Sequence, residues 1–499
     1  MSSPTSSRSA ASAATTSGGL RLKTAAGRWV IFATVLGTGI VFLDGTVVNI
    51  ALPTIGRDFG ASLETLQWTA TAYLLTLSAL ILSGGSLGDR LGRRRVFVVG
   101  AVWFAGASLL CALAPTAGVL IAARALQGVG GALLTPGSLA IIQASFHPED
   151  RAQAIGLWSG LSGVSLAIGP FLGGWLIQAA SWRLIFLINV PPIAAVIWVA
   201  LRHVPESRDP NATGRIDVAG SALAALGLGG LIYGLIAGPN SGWSSPAVLT
   251  SLIGGAVVLA AFVALELKRP DPMLPLGMFR VRQFSGANLT TFAVYGALGG
   301  ALFLVPLQLQ QVLGYSPLAS GVALLPVTIV MLLLSGRAGR LSQRIGPRLP
   351  MTVGPLVAGA GLALLSRVGP GATYIGAFLP AILVFSFGLV LTVAPLTAAV
   401  LSAAPSAHAG VASAVNNAVA RAAGLIAVAA LPAAAGITAS SYADPAAFSS
   451  GFSTAVLIAG GIAAVGGLIA FVTIPGPLIR RRGALDTPPP TPDCIGCEA

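Results

Sequence analysis

The chain has 499 residues, of which 55% are hydrophobic and 9% are charged, and its formal net charge is +13. Soluble domains carry about 25% charged residues, so this composition excludes an ordinary soluble enzyme or binding module. The 28 Lys and Arg residues are spread over many short segments, which argues against a nucleic-acid partner. The composition therefore indicates an integral membrane protein.

Apolar runs follow one another along the chain, and each can cross a hydrocarbon core of about 30 Å as a helix of about 20 residues. We predict an all-α integral membrane fold with 14 transmembrane helices, at 30–51, 66–84, 96–114, 118–144, 151–178, 183–202, 217–238, 246–266, 284–312, 317–335, 349–367, 371–402, 408–435 and 450–474. Because the number of spans is even, both termini lie on one side of the membrane.

The distribution of basic residues predicts which side that is. Of the 28 Lys and Arg residues, 23 lie in the termini and in the loops after spans 2, 4, 6, 8 and 10, whereas three lie in loops of the opposite face. Positively charged loops stay in the cytoplasm and contact anionic membrane lipids. Gly, Ala and Arg are abundant and Lys is rare, which favours a bacterial source. We predict a bacterial cytoplasmic (inner) membrane protein with both termini cytoplasmic.

Both ends of the chain have compositions that disfavour folding. Residues 1–27, rich in Ser, Ala and Thr, and residues 476–499, rich in Pro, are predicted to be disordered cytoplasmic tails. Cys494 and Cys497 form a CxxC in the second tail, but no His–Cys or carboxylate cluster elsewhere completes a metal site. We therefore predict no metal and no cofactor, and the function of the CxxC stays open.

The first predicted span contains a carboxylate, Asp44, within GIVFLDGTVVNIALP. Asp44 lies about 21 Å from the inner end of the span, and Arg124 in the fourth span lies at comparable depth. Charged residues inside spans are costly and mark functional sites by default. Burial disfavours the charged form of a carboxylate, whereas a neighbouring guanidinium favours that form. If the two groups move apart or together, the carboxylate would therefore bind or release a proton. The alternative is a static ion pair that joins spans 1 and 4.

The loop between spans 2 and 3 reads GSLGDRLGRRR at 85–95, and a weaker copy, GRLSQRIGPR, follows span 10 at 339–348. Gln343 in the copy replaces Asp89. The carboxylate of Asp89 can stabilise a helix N-terminus and pair with the neighbouring arginines. Such contacts could hold the cytoplasmic side closed in one conformation and be released in the other. The predicted gating residues are Gly85, Asp89, Arg90, Gly92, Arg93 and Arg94.

The two loop copies indicate an internal duplication. They start 254 residues apart, whereas a six-helix repeat needs about 180–200 residues, so the surplus corresponds to one helical hairpin. We predict two pseudo-symmetric six-helix bundles, at 28–203 and 284–475, separated by a linker and inserted helices 7 and 8 at 204–283. Duplicated bundles that meet at the bilayer midplane are typical of secondary transporters.

The fifth predicted span is rich in small residues, in SGLSGVSLAIGPFLGGWL at 159–176. Small-residue ridges let helices approach closely, and tight packing alone is sufficient to explain them. A conformational role for this ridge is the other hypothesis. Its candidate residues are Gly163, Gly169, Pro170 and Gly173.

The second half contains no Asp or Glu between Asp271 and Asp444. Spans 9–13 therefore offer no carboxylate to a multivalent cation, and neutral, singly charged or amphipathic substrates fit better. Polar and aromatic groups in an apolar cavity suit amphipathic ligands, although each is equally consistent with interhelical packing. The candidates for substrate lining are Asn49, Tyr73, Gln127, Asn189, Phe292, Tyr295, Gln308, Gln311, Asn416 and Asn417.

Five motifs in chain order resemble those of the major facilitator superfamily, and within it the fourteen-helix drug:proton antiporters. The segments are FLDGTVVNIALP at 42–53, GSLGDRLGRRR at 85–95, RALQGVGGA at 124–132, GVSLAIGPFLGG at 163–174 and WRLIFLINVPP at 182–192. They are similar to that group's first-helix motif, helix 2–3 loop, fourth-helix motif, fifth-helix antiporter motif and sixth-helix start. The resemblance covers about 28–475.

The resemblance implies alternating access by rocking bundles and export driven by proton influx. It assigns Asp44 and Arg124 to proton coupling, Asp89 and its arginines to gating, and Gly169–Pro170 to the antiporter-type interface. Gln343 departs from the loop pattern. The predicted protein is a monomeric, proton-coupled exporter of amphipathic drugs or antibiotics that binds protons, its substrate and membrane lipids.

The sequence also bears on three other functions. A dedicated exporter of one endogenous metabolite or lipid-like compound stays open, because the sequence barely separates it from a multidrug exporter. A membrane enzyme is disfavoured, since no nucleophile–base or metal constellation is found. A channel is disfavoured because Arg124 and the glycine-rich seams suit rocking bundles better.

Overall fold

The computed structural model describes residues 19–208, 217–269, 272, 274–404 and 409–476. Cys494, Cys497 and most of the two predicted tails lie outside this part of the chain. Within it the structure has fourteen helices long and apolar enough to cross a membrane and no β-strand, only an isolated bridge between Leu20 and Phe146. The predicted all-α fold with fourteen spans is confirmed.

The helices are numbered by span. They are α1 (Ala25–Phe59), α2 (Leu63–Leu91), α3 (Arg93–Ala112), α4 (Ala117–Ser145), α5 (Pro148–Ala179), α6 (Leu184–His203), α7 (Val218–Ser241), α8 (Pro246–Lys268), α9 (Arg282–Val312), α10 (Pro317–Ile345), α11 (Arg348–Leu365), α12 (Tyr374–Ser402), α13 (Val411–Ala434) and α14 (Pro445–Thr473).

Several helices run past the apolar runs that predicted them. The segment 85–95, predicted as a loop, is helical except at Gly92, whose φ of 115° is in the left-handed region that glycine tolerates. The second copy behaves in the same way, because α10 continues to Ile345 and Gly346 makes the turn with a φ of 84°. Hydropathy detects only the part of a helix inside the hydrocarbon, so it misses these charged ends.

The helices pack as two groups of six and one pair. Helices α1–α6 contact one another, most closely in the pairs α2–α4, α3–α4 and α1–α5, and α9–α14 contact one another in a second group. Helices α7 and α8 pack against each other, where Gly230 and Gly255 bring their backbones together. The pair then rests, through α7, on α2 of the first group and α13 of the second.

The two six-helix groups are joined at the side of the molecule opposite the termini. Gln67 Nε2 of α2 donates to the Val428 carbonyl of α13 at 2.9 Å, and Gln310 Nε2 of α9 donates to the Ile50 carbonyl of α1 at 2.9 Å. On the termini side, the described residues provide no hydrogen bond or ion pair between the two groups. The groups therefore meet at one side and separate toward the other.

Helices α5 and α10 cross at that closed side. A Cβ on Gly174 would lie 2.5 Å from the Pro317 carbonyl oxygen, and a Cβ on Gly321 would overlap the Pro170 carbonyl oxygen. Toward the termini, Gly160 of α5 has no atom within 4 Å of an added Cβ. Helices α5 and α10 are thus in backbone contact at one end, whereas Gly160 near the other end of α5 has open space beside it.

Candidate functional site

The carboxylate in the middle of α1 is completely enclosed. Asp44 is 0% exposed and Arg124 of α4 is 1% exposed. The guanidinium Nη1 of Arg124 donates to Oδ2 of Asp44, and the two groups form an ion pair. The depth comparison from the sequence placed these residues at the same level, and the structure brings them into direct contact.

Two amides complete the surroundings of the carboxylate. Gln127 Nε2 donates to Asp44 Oδ1 at 2.8 Å, and Asn189 Nδ2 donates to the same oxygen at 2.9 Å. Gln127 Oε1 in turn accepts from Arg124 Nη1 at 2.6 Å. Because a buried ion pair is stable only when its remaining donors and acceptors are satisfied, these amides explain how the pair is tolerated.

A serine that sequence reasoning missed ties the two amides together. Ser108 Oγ of α3 accepts from Gln127 Nε2 at 2.9 Å and from Asn189 Nδ2 at 3.5 Å, and Ser108 is fully buried. The sequence gives little indication of this role, because Ser108 lies within an apolar run, where a serine is usually a packing residue. We call Asp44, Ser108, Arg124, Gln127 and Asn189 the Asp44 cluster.

Aromatic rings cover the guanidinium of this cluster. The Arg124 guanidinium carbon lies 4.3 Å from the ring centroid of Tyr73 and 5.6 Å from that of Phe186. Tyr73 is held in place because its hydroxyl donates to the Val41 carbonyl at 2.9 Å. The rings exclude water from the cation while interacting favourably with its charge.

This arrangement is complementary to an ionised carboxylate. Asp44 accepts hydrogen bonds from Arg124, Gln127 and Asn189, and all three partners are donors at that contact. A proton on Asp44 would remove the charge that Arg124 pairs with, leaving a buried guanidinium to find another partner. The contacts that join α1, α4 and α6 at this point therefore all depend on the charge of Asp44.

The termini side of α2 and α3 carries a second set of charges. Asp89 Oδ1 lies 2.7 Å from Arg93 Nη2. Glu206, which follows α6, accepts from the Arg94 backbone N–H at 3.1 Å and lies 3.7 Å from the Nε atoms of Arg94 and Arg95. Sequence reasoning missed Glu206, because its contact depends on where the segment after α6 returns.

The other predicted gating residues have varied surroundings. A Cβ on Gly92 would lie 2.8 Å from Glu206 Oε1, so glycine lets that carboxylate approach α3. Gly85 faces Pro136 of α4, and Arg90 forms no ion pair within the described part of the chain. In this conformation the ion pairs of 85–95 stay within the first half and do not join the two halves.

The predicted residues of helix 5 divide into two groups. Gly169 packs against Thr46, and Gly173 packs against Val47, so both bring α5 close to α1. Pro170 contacts α10 through its carbonyl, as described above. Gly163, in contrast, has no atom within 4 Å of an added Cβ.

The substrate-lining candidates are spread over several environments. Tyr73, Gln127 and Asn189 belong to the surroundings of Asp44. Gln308 Nε2 donates to the Val368 carbonyl at 2.7 Å, and Asn416 Nδ2 donates to Thr291 Oγ1 at 2.7 Å, so both connect helices of the second half. The remaining candidates are partly buried or exposed, namely Asn49, Phe292, Tyr295, Gln311 and Asn417.

One further charge lies within a span of the second half. Arg421 of α13 is partly buried, and its guanidinium carbon lies 5.9 Å from the ring centroid of Phe42 on α1. Its side chain therefore faces the first half. Among the residues that the structure describes, no group of three or more His, Cys, Asp or Glu residues is placed to hold a metal ion.

Comparison with known proteins gives consistent matches. The sequence profile of the Major Facilitator Superfamily matches residues 34–429. The chain is 36% identical to the multidrug resistance protein Stp of Mycobacterium tuberculosis (strain CDC 1551 / Oshkosh), over 78% of this chain and 72% of that protein. It is also 36% identical to the puromycin resistance protein pur8 of Streptomyces alboniger, over 89% of this chain and 91% of that protein.

The fold also matches solved transporter structures. A bacterial homologue of the human lysosomal transporter Spinster, crystallised in an inward-facing and unoccupied conformation, superposes with a TM-score of 0.62. The match covers 90% of this chain and 98% of that chain, at 17% sequence identity. At this identity the likeness concerns the fold alone.

Proposed function

The chain belongs to the Major Facilitator Superfamily, and from this premise we propose that it exports amphipathic drugs or antibiotics in exchange for protons. It is a multi-pass membrane protein, and we place it in the bacterial cytoplasmic membrane with both termini inside. The names of its relatives, which include multidrug and puromycin resistance proteins, support export of such compounds.

The observation that carries the proposal is the enclosed ion pair of Asp44 and Arg124. Among the residues that the structure describes, Asp44 is the one acid in the middle of a spanning helix, because each of the others lies near a helix end or between helices. Charged groups at such a position are rare and mark proton relays and substrate pathways. We assign proton coupling to Asp44, with Arg124 as the group that competes with the proton.

The proposed cycle is supported by the contact of the two halves at one side of the molecule. With the termini in the cytoplasm, the two halves are open inward, and a substrate enters between them while Asp44 is ionised. Rocking about the α5–α10 crossing then opens the outer side, the substrate leaves, and Asp44 takes up a proton there. Return to the inward-open state re-forms the Asp44–Arg124 pair and releases the proton into the cytoplasm.

The gating residues act on the same motion. In the inward-open state the Asp89–Arg93 and Glu206–Arg94 contacts stay within the first half. When the inner side closes, α2 and α3 approach the second half, and we propose that the arginines of 85–95 then form contacts across the interface. Gln343 in the second copy makes that closure asymmetric.

Transport by purified protein tests the proposal. The wild type and Asp44→Asn are reconstituted in liposomes, a pH gradient is imposed, and the movement of chemically unrelated anionic, neutral and cationic fluorescent amphiphiles is followed. We expect the wild type to transport in a gradient-dependent way and Asp44→Asn to fall to the level of empty liposomes. Asp58→Asn is the matched control, because Asp58 is a partly exposed acid at the end of the same helix.

Each result has a defined meaning. Equal transport by the wild type and Asp44→Asn would show that Asp44 is structural and that the coupling mechanism is wrong. Transport of several competing dyes supports multidrug export. Transport of a single compound favours the alternative, a dedicated exporter, which the puromycin relative also suggests because its name refers to one compound.

A further inference from the structure

Arg421 is a cation in the middle of a span for which the described chain supplies no counter-charge. It lies near the midpoint of α13, and its buried Nε atom has no hydrogen-bond partner. Within the described residues it forms no ion pair; it lies beside the ring of Phe42 and interacts electrostatically with Tyr73, which carries no charge at neutral pH. A guanidinium carries five N–H donors, so leaving it unpaired inside the membrane is costly.

The rest of the second half cannot neutralise this residue. No acid occurs between Asp271 and Asp444. The carboxylate of the first half, Asp44, is enclosed and already paired with Arg124. The centre of the molecule therefore contains one carboxylate and two guanidinium groups, and carries a net charge of about +1 when Asp44 is ionised.

Arg421 also faces the space where the halves separate. Its ring contact is with α1 of the first half, and its side chain is only partly buried. Asn417, one helical turn toward the termini on the same face of α13, is exposed, and its side-chain nitrogen donates only to the Ser413 carbonyl of its own helix. An unpaired guanidinium and a neighbouring amide thus line one face of the inward-open space.

We propose that Arg421 binds an anionic group of the transported compound, so that amphiphiles bearing a carboxylate or a similar acid are preferred. The guanidinium fork matches the two oxygens of a carboxylate and forms strong charge-assisted hydrogen bonds with them. The same net positive charge disfavours cationic amphiphiles. This inference rests on the proposed function as an exporter and names the class of its substrates.

Equilibrium binding without any gradient tests this site. The probes are a diethylaminocoumarin carboxylate and its methyl ester, which share one fluorophore and differ by the charge. Fluorescence anisotropy titrations use the full chain in nanodiscs of zwitterionic lipid, so that no lipid headgroup supplies the anion, with empty nanodiscs as background. We expect the wild type to bind the acid about ten- to a hundredfold more tightly than the ester.

Variants assign that preference to Arg421. In Arg421→Gln the acid should bind no more tightly than the ester, while the ester keeps its wild-type affinity and so shows that the protein is folded. Arg421→Lys should keep part of the preference. Arg367→Gln is the matched control, because Arg367 is an exposed arginine of the same half, and it should bind like the wild type.

Two results would overturn the proposal. One is a wild type that binds the acid no better than the ester. The other is an Arg421→Gln protein that keeps the wild-type preference for the acid. Neither result depends on proton coupling, because binding is measured without a gradient. If the transport experiment showed that Asp44 does not couple protons to export, this measurement would be unaffected.

Discussion

At the scale of single residues, the Asp44 cluster shows how a membrane protein keeps two opposite charges in its interior. Each oxygen of Asp44 has a donor, and Gln127 serves the ion pair twice, as a donor to Asp44 and as an acceptor from Arg124. A buried polar network is rigid when all its hydrogen-bond donors and acceptors are paired, and the loss of one residue leaves its partners unpaired.

Substitution of the central amide tests that dependence. Gln127→Leu removes one partner each from Asp44, Arg124 and Ser108, and buried polar groups left unpaired cost about 1–3 kcal/mol each. We expect a clear decrease in the thermal stability of the purified protein, measured by thermal unfolding in detergent. Gln343→Leu is the control, since Gln343 is exposed; equal stability of both variants would contradict the proposed network.

Part of this site follows from sequence and part does not. Asp44 and Arg124 stand out because charges are rare in spans, and helix geometry gives their depth. Ser108 and Glu206 do not stand out, because a serine in an apolar run and an acid in a linker are common. Their roles depend on which helices are neighbours, and that is set by packing across the whole bundle.

At the scale of helices, α5 and α10 form the crossing about which we propose that the two halves rock. Their contact is made by backbone atoms at Gly174 and Gly321, and glycine is needed there because a side chain would enter the facing helix. The predicted small-residue ridge of span 5 is therefore used on two sides, against α1 through Gly169 and Gly173 and against α10 through Gly174.

A larger side chain at the crossing should change the conformational equilibrium. In Gly174→Val the added Cβ would lie 2.5 Å from the Pro317 carbonyl oxygen and 2.8 Å from Leu318 Cα. Overpacking costs about 1–3 kcal/mol, so the closed outer side should open in a larger fraction of molecules. Distances between spin labels on the α5–α6 and α9–α10 loops measure this shift.

The control for that experiment lies on the same helix. Gly160→Val adds the same side chain where no atom lies within 4 Å of the added Cβ. It should leave the outer distance unchanged. If Gly160→Val opens the outer side as much as Gly174→Val does, the crossing is not the point that holds it closed.

Helix existence was easier to predict than helix ends. The apolar runs identified all fourteen spans because a helix in hydrocarbon must be apolar over its whole crossing. The sequence predicts loops at the ends of α2 and α10 because polar and basic residues follow each apolar run. Those residues are compatible with a helix, and only Gly92 and Gly346 adopt backbone angles that stop it.

At the scale of the whole molecule, the orientation in the membrane is a prediction from charge. A cysteine is introduced at Ala180, in the exposed loop after α5, or at Gln343, near the end of α10, after Cys111, Cys494 and Cys497 are replaced by Ser. A membrane-impermeant maleimide should label Ala180→Cys in intact cells. It should label Gln343→Cys only after permeabilisation, and the reverse pattern would contradict cytoplasmic termini.

Among the described residues Asp44 is the one acid in the middle of a span, and the proposed coupling through it sets a limit on how far a compound could be concentrated outside the cell. In the proposed cycle Asp44 carries one proton for each molecule of substrate. A membrane potential of about 100 mV contributes about 2.3 kcal/mol per charge, and one pH unit contributes about 1.4 kcal/mol. For a neutral compound these sustain a ratio of a few hundredfold.

The substrates proposed to bind Arg421 are anions. Because the interior of the cell is negative, the membrane potential favours the exit of an anion. Export of the anion moves a second charge across the membrane, so the same potential adds about 2.3 kcal/mol. The limiting ratio of external to internal concentration then rises to the order of ten thousandfold. A positively charged second half would therefore let one proton per cycle maintain a much lower internal concentration of an acidic toxin than of a neutral one.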